Sequence, residues 1–212
     1  MVNRAEKHGA TDEPSPEENT AEQILDAARR VLARDGWAGL SINAVCREAV
    51  VYRSAISYHY GSKDGLAAAV LENIIHELSI RVAGSVSALP IGGERVTATI
   101  EGFDTLGGSE IQFTFLEVLT RLVREEEYRL RLSRVYRDTA AIAAVALGGY
   151  DEKTRRELEP YARAILAFLD GVFIQQLADP DRDFGPEIAG FTEMLKPVVA
   201  RVLDAGCPPS GQ

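Results

Sequence analysis

Two very short helical segments, joined by three residues, constrain this chain more than any other feature of its sequence. Ser41 offers an N-cap, and apolar residues then recur at helical spacing up to residue 49. Residues 53–59 form the second segment, in which Ile56 and Tyr60 are the inward positions. Helices this short are marginal in water by themselves, so other elements must brace them. The pattern predicts a helix-turn-helix.

The remainder of the chain also has helical periodicity, and no segment alternates with the period of two that a half-buried strand requires. We predict an all-α fold of about nine helices, divided by glycine and proline pairs. Besides the two short segments, helices are predicted at residues 20–35, 63–83, 94–106, 110–124, 126–147, 160–178 and 186–204. Residues 1–19 are polar and acidic without an apolar period, which predicts a disordered tail.

Composition excludes several classes of protein. Two cysteines cannot form a disulfide framework, and the longest apolar run, residues 140–147, is too short for a membrane span. We therefore expect a cytoplasmic location and no membrane partner. The histidines and cysteines lack metal-ligand spacing, and Ser54, Ser57 and His59 share one short helix without a nucleophile elbow, so we expect no metal, no cofactor and no enzyme activity.

The net charge of −9 argues at first against a nucleic-acid partner, but the charge is uneven. Residues 20–65 contain six basic and five acidic side chains, whereas the rest of the chain is acidic. A contact with DNA would therefore use a small N-terminal surface, and the acidic body would stay away from the phosphates.

The outward side chains of the second short segment have the chemistry of DNA contacts. With Ile56 and Tyr60 turned inward, hydrogen-bonding and stacking groups remain on the open side, suited to base edges and phosphates. Ser41 lies at a helix N-terminus that can bind a phosphate, and the flanking groups are expected to contact the DNA backbone. The predicted DNA-binding residues are Ser41, Tyr52, Arg53, Ser54, Ser57, Tyr58, His59 and Lys63.

These residues also carry a family resemblance. Residues 20–71, and above all residues 51–66 (VYRSAISYHYGSKDGL), resemble the DNA-binding domain of the tetracycline-repressor (TetR) family. The matching positions are Gly36, Ser41, Ile42, Ile56, Tyr58, Tyr60, Ser62 and Lys63. Residues 161–180, which contain Leu-Asp-Gly and close with Asp-Pro, are similar to the penultimate helix of that family. The resemblance implies a DNA-binding domain at 20–65 and an effector-binding and dimerisation domain at 66–206.

Two positions depart from the family pattern. Val50 stands where the family usually has glycine, and Tyr52 stands where it usually has a serine, threonine or asparagine cap. A β-branched residue does not adopt a positive φ cheaply. Either the turn follows a different backbone path here, or it stores about 1–3 kcal/mol of strain.

The body offers candidates for a cavity and for a dimer face. Aromatic residues of the body form a group that can host a flat or apolar ligand: Phe103, Phe113, Phe115, Tyr136 and Phe168. The last two helices carry apolar residues at heptad-like spacing, and pairing them across a two-fold axis gives a four-helix bundle. The predicted interface residues are Ile165, Val172, Ile188, Phe191, Leu195, Val198 and Val202.

Together these features predict a homodimeric, ligand-responsive transcriptional repressor that binds a palindromic double-stranded operator and is released by a small-molecule effector. Release by a ligand is implied by the resemblance alone. Two alternatives stay open at this level. One is a helical small-molecule carrier or enzyme with a vestigial DNA-binding head, which the residues at 50 and 52 and the small positive charge of residues 20–65 leave open; the other is a purely structural helical dimer.

Overall fold

The computed structural model describes residues 16–104 and 109–206, and these residues form nine helices and no strand. The all-α fold is therefore confirmed. In chain order the helices are α1 (Pro16–Gly39), α2 (Ile42–Ala49), α3 (Arg53–Tyr60), α4 (Lys63–Val86), α5 (Gly93–Asp104), α6 (Ser109–Leu122), α7 (Glu126–Ala146), α8 (Glu152–Ala178) and α9 (Gly185–Gly206).

The first helix begins earlier than predicted. It starts at Pro16 instead of Thr20, so the tail predicted for residues 1–19 is wrong in its last four positions, and residues 1–15 lie outside the described part. A proline suits the first helical position, where its missing N–H has no partner to lose. Regular helix stops at Gly36, whose φ of 63° and ψ of −169° break α1 where the sequence predicted its end.

Helix α8 is also longer than predicted, since it begins at Glu152 and not at residue 160. Asp151 caps it, and its carboxylate accepts a hydrogen bond of 3.0 Å from the backbone N–H of Thr154. Pro160 then lies inside the helix and does not start it. Proline is typical of a helix start, which explains the error, but an exposed proline is tolerated once tertiary packing holds the helix on both sides.

Two hydrophobic clusters organise the chain, and α4 contributes to both. The first cluster joins α1, α2, α3 and the start of α4 to Val118 and Leu122 of α6 and Tyr128 and Leu132 of α7. The second joins Leu78 and the end of α4 to α5, α7, α8 and α9. Below, α1–α3 are called the head and α5–α9 the body. Because α4 runs from one cluster to the other, it connects them mechanically.

The head also contacts α6 directly, through the residue after the break in α1. The backbone N–H of Trp37 donates a hydrogen bond of 3.0 Å to Oε2 of Glu117. The Trp37 ring faces two cations, with Lys63 Nζ at 4.1 Å and the Arg121 guanidinium carbon at 5.0 Å from the ring centroid. A second polar contact joins Ser62 Oγ and the Tyr128 hydroxyl at 3.0 Å. These contacts form the head–body joint.

Candidate nucleic-acid interface and ligand cavity

The turn between α2 and α3 is built from a capped helix and an unusual valine. Ser41 Oγ accepts a hydrogen bond of 3.1 Å from the backbone N–H of Ala44, which caps α2. Val50 ends α2 in the left-handed conformation, with φ of 55° and ψ of 45°, and it is 87% exposed. Of the two possibilities that the sequence left open, the backbone path is the glycine-like one. The valine therefore carries the strain, since its Cβ crowds the backbone in this region.

Helix α3 presents a continuous polar face to solvent. Arg53, Ser54, Ser57 and Tyr58 are all exposed, and these four residues are called the reading face below. Their spacing places them within about 140° of the helix circumference, at about 100° per residue. The opposite side holds α3 to the head, because Ile56 is fully buried. Helix α3 thus has one exposed side and one buried side, as the sequence predicted.

The neighbouring tyrosines have different environments. The Tyr60 hydroxyl donates a hydrogen bond of 2.7 Å to the backbone carbonyl of Ala21 on α1, and burial raises its pKa. Tyr58 is 75% exposed and meets the ring of His59 edge-on at 4.9 Å between centroids. Tyr52 is 87% exposed, and its side chain makes no capping hydrogen bond to α3. Tyr52 and Tyr58 are therefore available to a partner, whereas Tyr60 is structural.

Ion pairs neutralise most of the arginines of the head. Arg29 pairs with Glu77 at 2.9 Å, and both Arg30 and Arg34 pair with Glu48, at 3.0 and 3.2 Å. Arg47 and Arg53 are the two arginines of α1–α3 that make no ion pair with a described residue. The arginines of the head that remain unpaired thus lie on α2 and α3.

Arg47 was missed by the sequence reasoning, as was Asn43, one turn before it on α2; both are exposed. Their spacing of four on the polar side of a helix-turn-helix is a signal that was present in the sequence.

Lys63, which the sequence predicted on the DNA backbone, also has a partner within the chain. Its ammonium donates a hydrogen bond of 2.8 Å to the Trp37 carbonyl and lies over the Trp37 ring. Burial lowers the pKa of Lys63, and the positive charge of Arg121 lowers it further. Lys63 therefore takes part in the head–body joint through one of its three N–H donors, and its contact with DNA stays a prediction.

The body contains a cavity of about 70 Å³ between α4, α5, α6, α7 and α8. Phe103, Phe115 and Tyr136, three of the predicted cavity residues, line it, whereas the Phe113 side chain lies outside the described residues. Phe168 is not among the lining residues and stacks instead on Phe191 at 4.0 Å between centroids. The remaining lining residues are Ile74, Ile75, Leu78, Asp104, Thr139, Leu166, Leu169, Asp170, Phe173 and Gln176.

The carboxylates of the cavity were not anticipated, whereas Tyr136 was. The Tyr136 hydroxyl donates a hydrogen bond of 3.1 Å to Oδ2 of Asp170. Burial raises the pKa of Asp170, and the hydrogen bond from Tyr136 offsets part of this rise. Burial also raises the pKa of Asp104. The signal in the sequence was a charged residue, Asp170, set between Leu166 and Phe173 on one helical stripe.

Comparison with known proteins agrees with this architecture. Residues 24–70 match the sequence profile of bacterial regulatory proteins of the tetR family. This part of the chain, which comprises most of the head and the start of α4, is therefore similar to the DNA-binding domain of that family. The matched residues include α2, α3 and the turn between them, so the chain is a helix-turn-helix transcriptional regulator with a head of the tetR type.

Similarity to individual proteins extends beyond the head. The chain is 27% identical over 171 residues to the HTH-type transcriptional regulator BetI of Vibrio parahaemolyticus serotype O3:K6, covering 74% of this chain and 80% of that protein. It is 25% identical over 167 residues to the nicotine-responsive repressor HdnoR of Paenarthrobacter nicotinovorans, covering 75% and 84%. The crystal structure of the multidrug binding protein EbrR shares the fold, with a TM-score of 0.59 and 24% identity over 99% of this chain and 100% of that one.

The dimer face predicted from the sequence needs a correction. Ile165 is fully buried within the single chain, and Val172 and Leu195 are at most 5% exposed. They therefore belong to the core of the subunit, because a side chain without exposed surface cannot contact a partner. The other predicted interface residues, Ile188, Phe191, Val198 and Val202, are half-buried.

Two further properties concern the described residues alone. Within residues 16–104 and 109–206, no three histidine, cysteine or acidic side chains are grouped so that they could hold a metal ion. None of the helices in these ranges combines the length and the apolar character of a membrane span.

Proposed function

We propose that this protein is a homodimeric repressor that binds a palindromic operator and leaves it when a small molecule enters the body. The observation that carries this proposal is the reading face of α3, which presents Arg53, Ser54, Ser57 and Tyr58 to solvent while Ile56 anchors the helix. In a helix-turn-helix the second helix enters the major groove with such side chains towards base edges. Arg47 and Ser41 on α2 are suited to the flanking phosphates.

The dimer uses the faces of α8 and α9 that the subunit leaves open. On α8, Ala164, Ala167 and Ile174 are exposed at helical spacing, and Met194 on α9 is 62% exposed. A Cβ added at Gly171 would meet nothing within 4 Å of its own chain, so internal packing does not require glycine there. A partner helix can approach closely at such a position. Two heads joined in this way read half-sites about 34–36 Å apart.

The effector occupies the cavity of the body and acts through α4 and α6. A volume of about 70 Å³ is small beside the roughly 300–1,000 Å³ of sites for drug-sized ligands, so a larger ligand must displace the surrounding helices. Ile75 and Leu78 of α4 line the cavity, and α4 continues into the head. On α6, Phe115 lines the cavity and Glu117 holds the Trp37 N–H.

The ligand thus changes DNA binding only by stabilising one arrangement of these helices over another. A coupling of about 1–3 kcal/mol changes DNA affinity by about 5–150-fold. The relative HdnoR, named as nicotine-responsive, supports a small-molecule effector. We assign the chain no catalytic step. We also propose a cytoplasmic location, because a regulator of this kind acts on chromosomal DNA.

Titration of a labelled duplex from the region upstream of its own gene tests the proposal. Fluorescence anisotropy at graded salt is expected to show binding at least about 10³-fold tighter than to a random duplex, weakening steeply from about 50 to 200 mM salt. Arg134→Ala, an exposed arginine of α7, serves as the control for charge. Equal affinity for both duplexes at every salt concentration would contradict the proposal and favour a helical carrier with a vestigial head.

Sedimentation velocity tests the dimer. Ala167→Arg introduces a long charged side chain on the open face of α8 and is expected to yield monomers, whereas Ala33→Arg, on the exposed side of α1, leaves the dimer intact. A natural protein that sediments as a monomer at micromolar concentration would exclude the two-headed arrangement.

A further inference from the structure

The wall of the cavity is aromatic and aliphatic over most of its surface. Four aromatic rings line it, and two of them, Phe115 and Phe173, meet edge-on at 6.1 Å between centroids. Ile74, Ile75 and Leu78 of α4 and Leu166 and Leu169 of α8 supply the aliphatic surface. Such a wall favours an organic ligand, because a hydrated ion loses its water without replacement there.

The charged groups of this wall all have the same sign. Asp104 and Asp170 are the charged residues among the described lining residues, and neither forms an ion pair with a described residue. Residues 105–114, whose side chains are not described, contain no lysine, arginine or histidine in the sequence. Arg29 borders a neighbouring cleft together with Ile74 and Phe115, but it is paired with Glu77 at 2.9 Å.

Asp104 and Asp170 are half-buried, so their carboxylates have lost part of their water, and no described protein cation compensates either charge. The hydrogen bond from Tyr136 uses Oδ2 of Asp170, and Oδ1 has no hydrogen-bond partner among the described residues. A ligand cation supplies the missing charge. The aromatic rings add a second attraction, because the negative face of a ring attracts a cation within about 6 Å of its centroid.

We infer that the cavity takes a small organic cation with an aromatic or alkyl group, such as a quaternary ammonium or a protonated amine; this inference rests on the proposed effector role of the cavity. A metal ion fits poorly, since hard cations need about six oxygen ligands and the cavity wall is largely carbon. An anion is repelled by both carboxylates. A neutral ligand fills the space but leaves the charges uncompensated.

Calorimetry on the full-length protein without DNA tests this inference with three probes of similar shape. Benzyltrimethylammonium carries the positive charge, neopentylbenzene is its uncharged carbon counterpart, and phenylmethanesulfonate carries a negative charge. At pH 7.5 the cation is expected to bind at least tenfold more tightly than the neutral probe, and the anion is expected to show no binding.

Asp170→Asn keeps the hydrogen bond from Tyr136 but removes the charge. We expect it to weaken binding of the cation at least tenfold and to change the affinity for the neutral probe less than threefold. Asp104→Asn is the second variant, and it provides the test should Asp170→Asn lose helical circular dichroism. Asp138→Asn, an exposed residue of α7 outside the cavity, is the control and is expected to change neither affinity.

Three outcomes would overturn the inference: equal binding of cation and neutral probe, tighter binding of the anion, or a cation affinity that neither cavity variant changes. The DNA titration described above tests the proposed function independently of the ligand class. Specific DNA binding together with preference for the neutral probe would refute the ligand class and leave the regulator intact, whereas cation binding without specific DNA binding would do the reverse.

Discussion

Helix α3 of the head and helix α8 of the body both mix polar and apolar residues, but they turn their polar groups in opposite directions. In α3 the polar residues Arg53 and Tyr58 face solvent and Ile56 faces the core. In α8 Asp170 faces an internal cavity, and small residues such as Ala167 face solvent. The polar groups of the head are therefore fully hydrated, whereas Asp170 of the body is half-buried and has lost part of its water.

The two regions therefore differ in the free energy that their polar groups cost before a partner binds. Polar groups on an open surface cost little before a partner arrives. A half-buried carboxylate without an ion-pair partner costs free energy, so the body is less stable than its packing alone would allow. A ligand that compensates this charge therefore gains binding free energy beyond that of its own contacts. Substitutions in each region can test whether the difference is real.

The largest expected effect comes from the buried side of α3. Ile56→Ala removes a fully buried side chain and is expected to lower the free energy of unfolding of the head by about 2–5 kcal/mol. Operator binding is lost as a result, while a ligand still binds in the body. Urea denaturation followed by circular dichroism measures the loss. The control is Ile80→Ala, which truncates an exposed isoleucine of α4; similar losses in both variants would contradict the division of α3 into two sides.

On the open side of α3, Arg53→Ala should leave stability unchanged. It is expected to weaken specific operator binding by about 1–3 kcal/mol if the guanidinium contacts a base. The anisotropy titration measures this, and the salt slope separates the two possible roles. A loss that is equal for operator and random DNA would assign Arg53 to the phosphates instead. Arg134→Ala again controls for the charge.

The turn before α3 allows a gain in stability. Val50→Gly relieves the left-handed conformation of a β-branched residue and is expected to stabilise the head by about 1 kcal/mol, the strain being partly offset by the greater entropy of glycine in the unfolded chain. This corresponds to a rise in Tm of about 2–4 °C for a chain of this size. Val50→Ala, which removes the branch but keeps Cβ, should lie between the two. A lower Tm for the glycine variant would refute the strain.

The smallest expected effect concerns the empty cavity. Since burial raises the pKa of Asp170, the folded state disfavours the ionised carboxylate and loses stability as pH rises through that raised pKa. Asp170→Asn is therefore expected to raise the free energy of unfolding at pH 7.5 by less than about 1 kcal/mol. The gain should shrink as pH falls towards the ordinary range of an aspartate. Thermal unfolding at several pH values measures it, and Asp138→Asn should show no such trend.

The head was predictable because its pattern is local. The caps, the two short helices and the inward positions Ile56 and Tyr60 all follow from spacing within a few residues. The conformation of Val50 was one of two stated possibilities, and only the structure distinguishes them. The internal partner of Lys63, the Trp37 carbonyl, was not predictable because it is 26 residues away in sequence.

The body was less predictable because its helices pack on several sides. The stripes through Ile165 and Leu169 on α8 both point inwards, so neither supplies the open face. That face is made of alanine and glycine, which give a weak hydrophobic signal in sequence. Asp170 belongs to a cavity that exists only once five helices are assembled. Spacing along one helix therefore does not determine which of its stripes a partner meets.

Trp37 is the one tryptophan of the chain, and its place at the head–body joint makes it a natural optical reporter. Two cations border its indole ring, and indole emission responds to nearby charge. Any rearrangement of α6 against α1 therefore alters the light that this protein emits, without a label. The movement between cavity and head can be followed in real time, in the unmodified molecule.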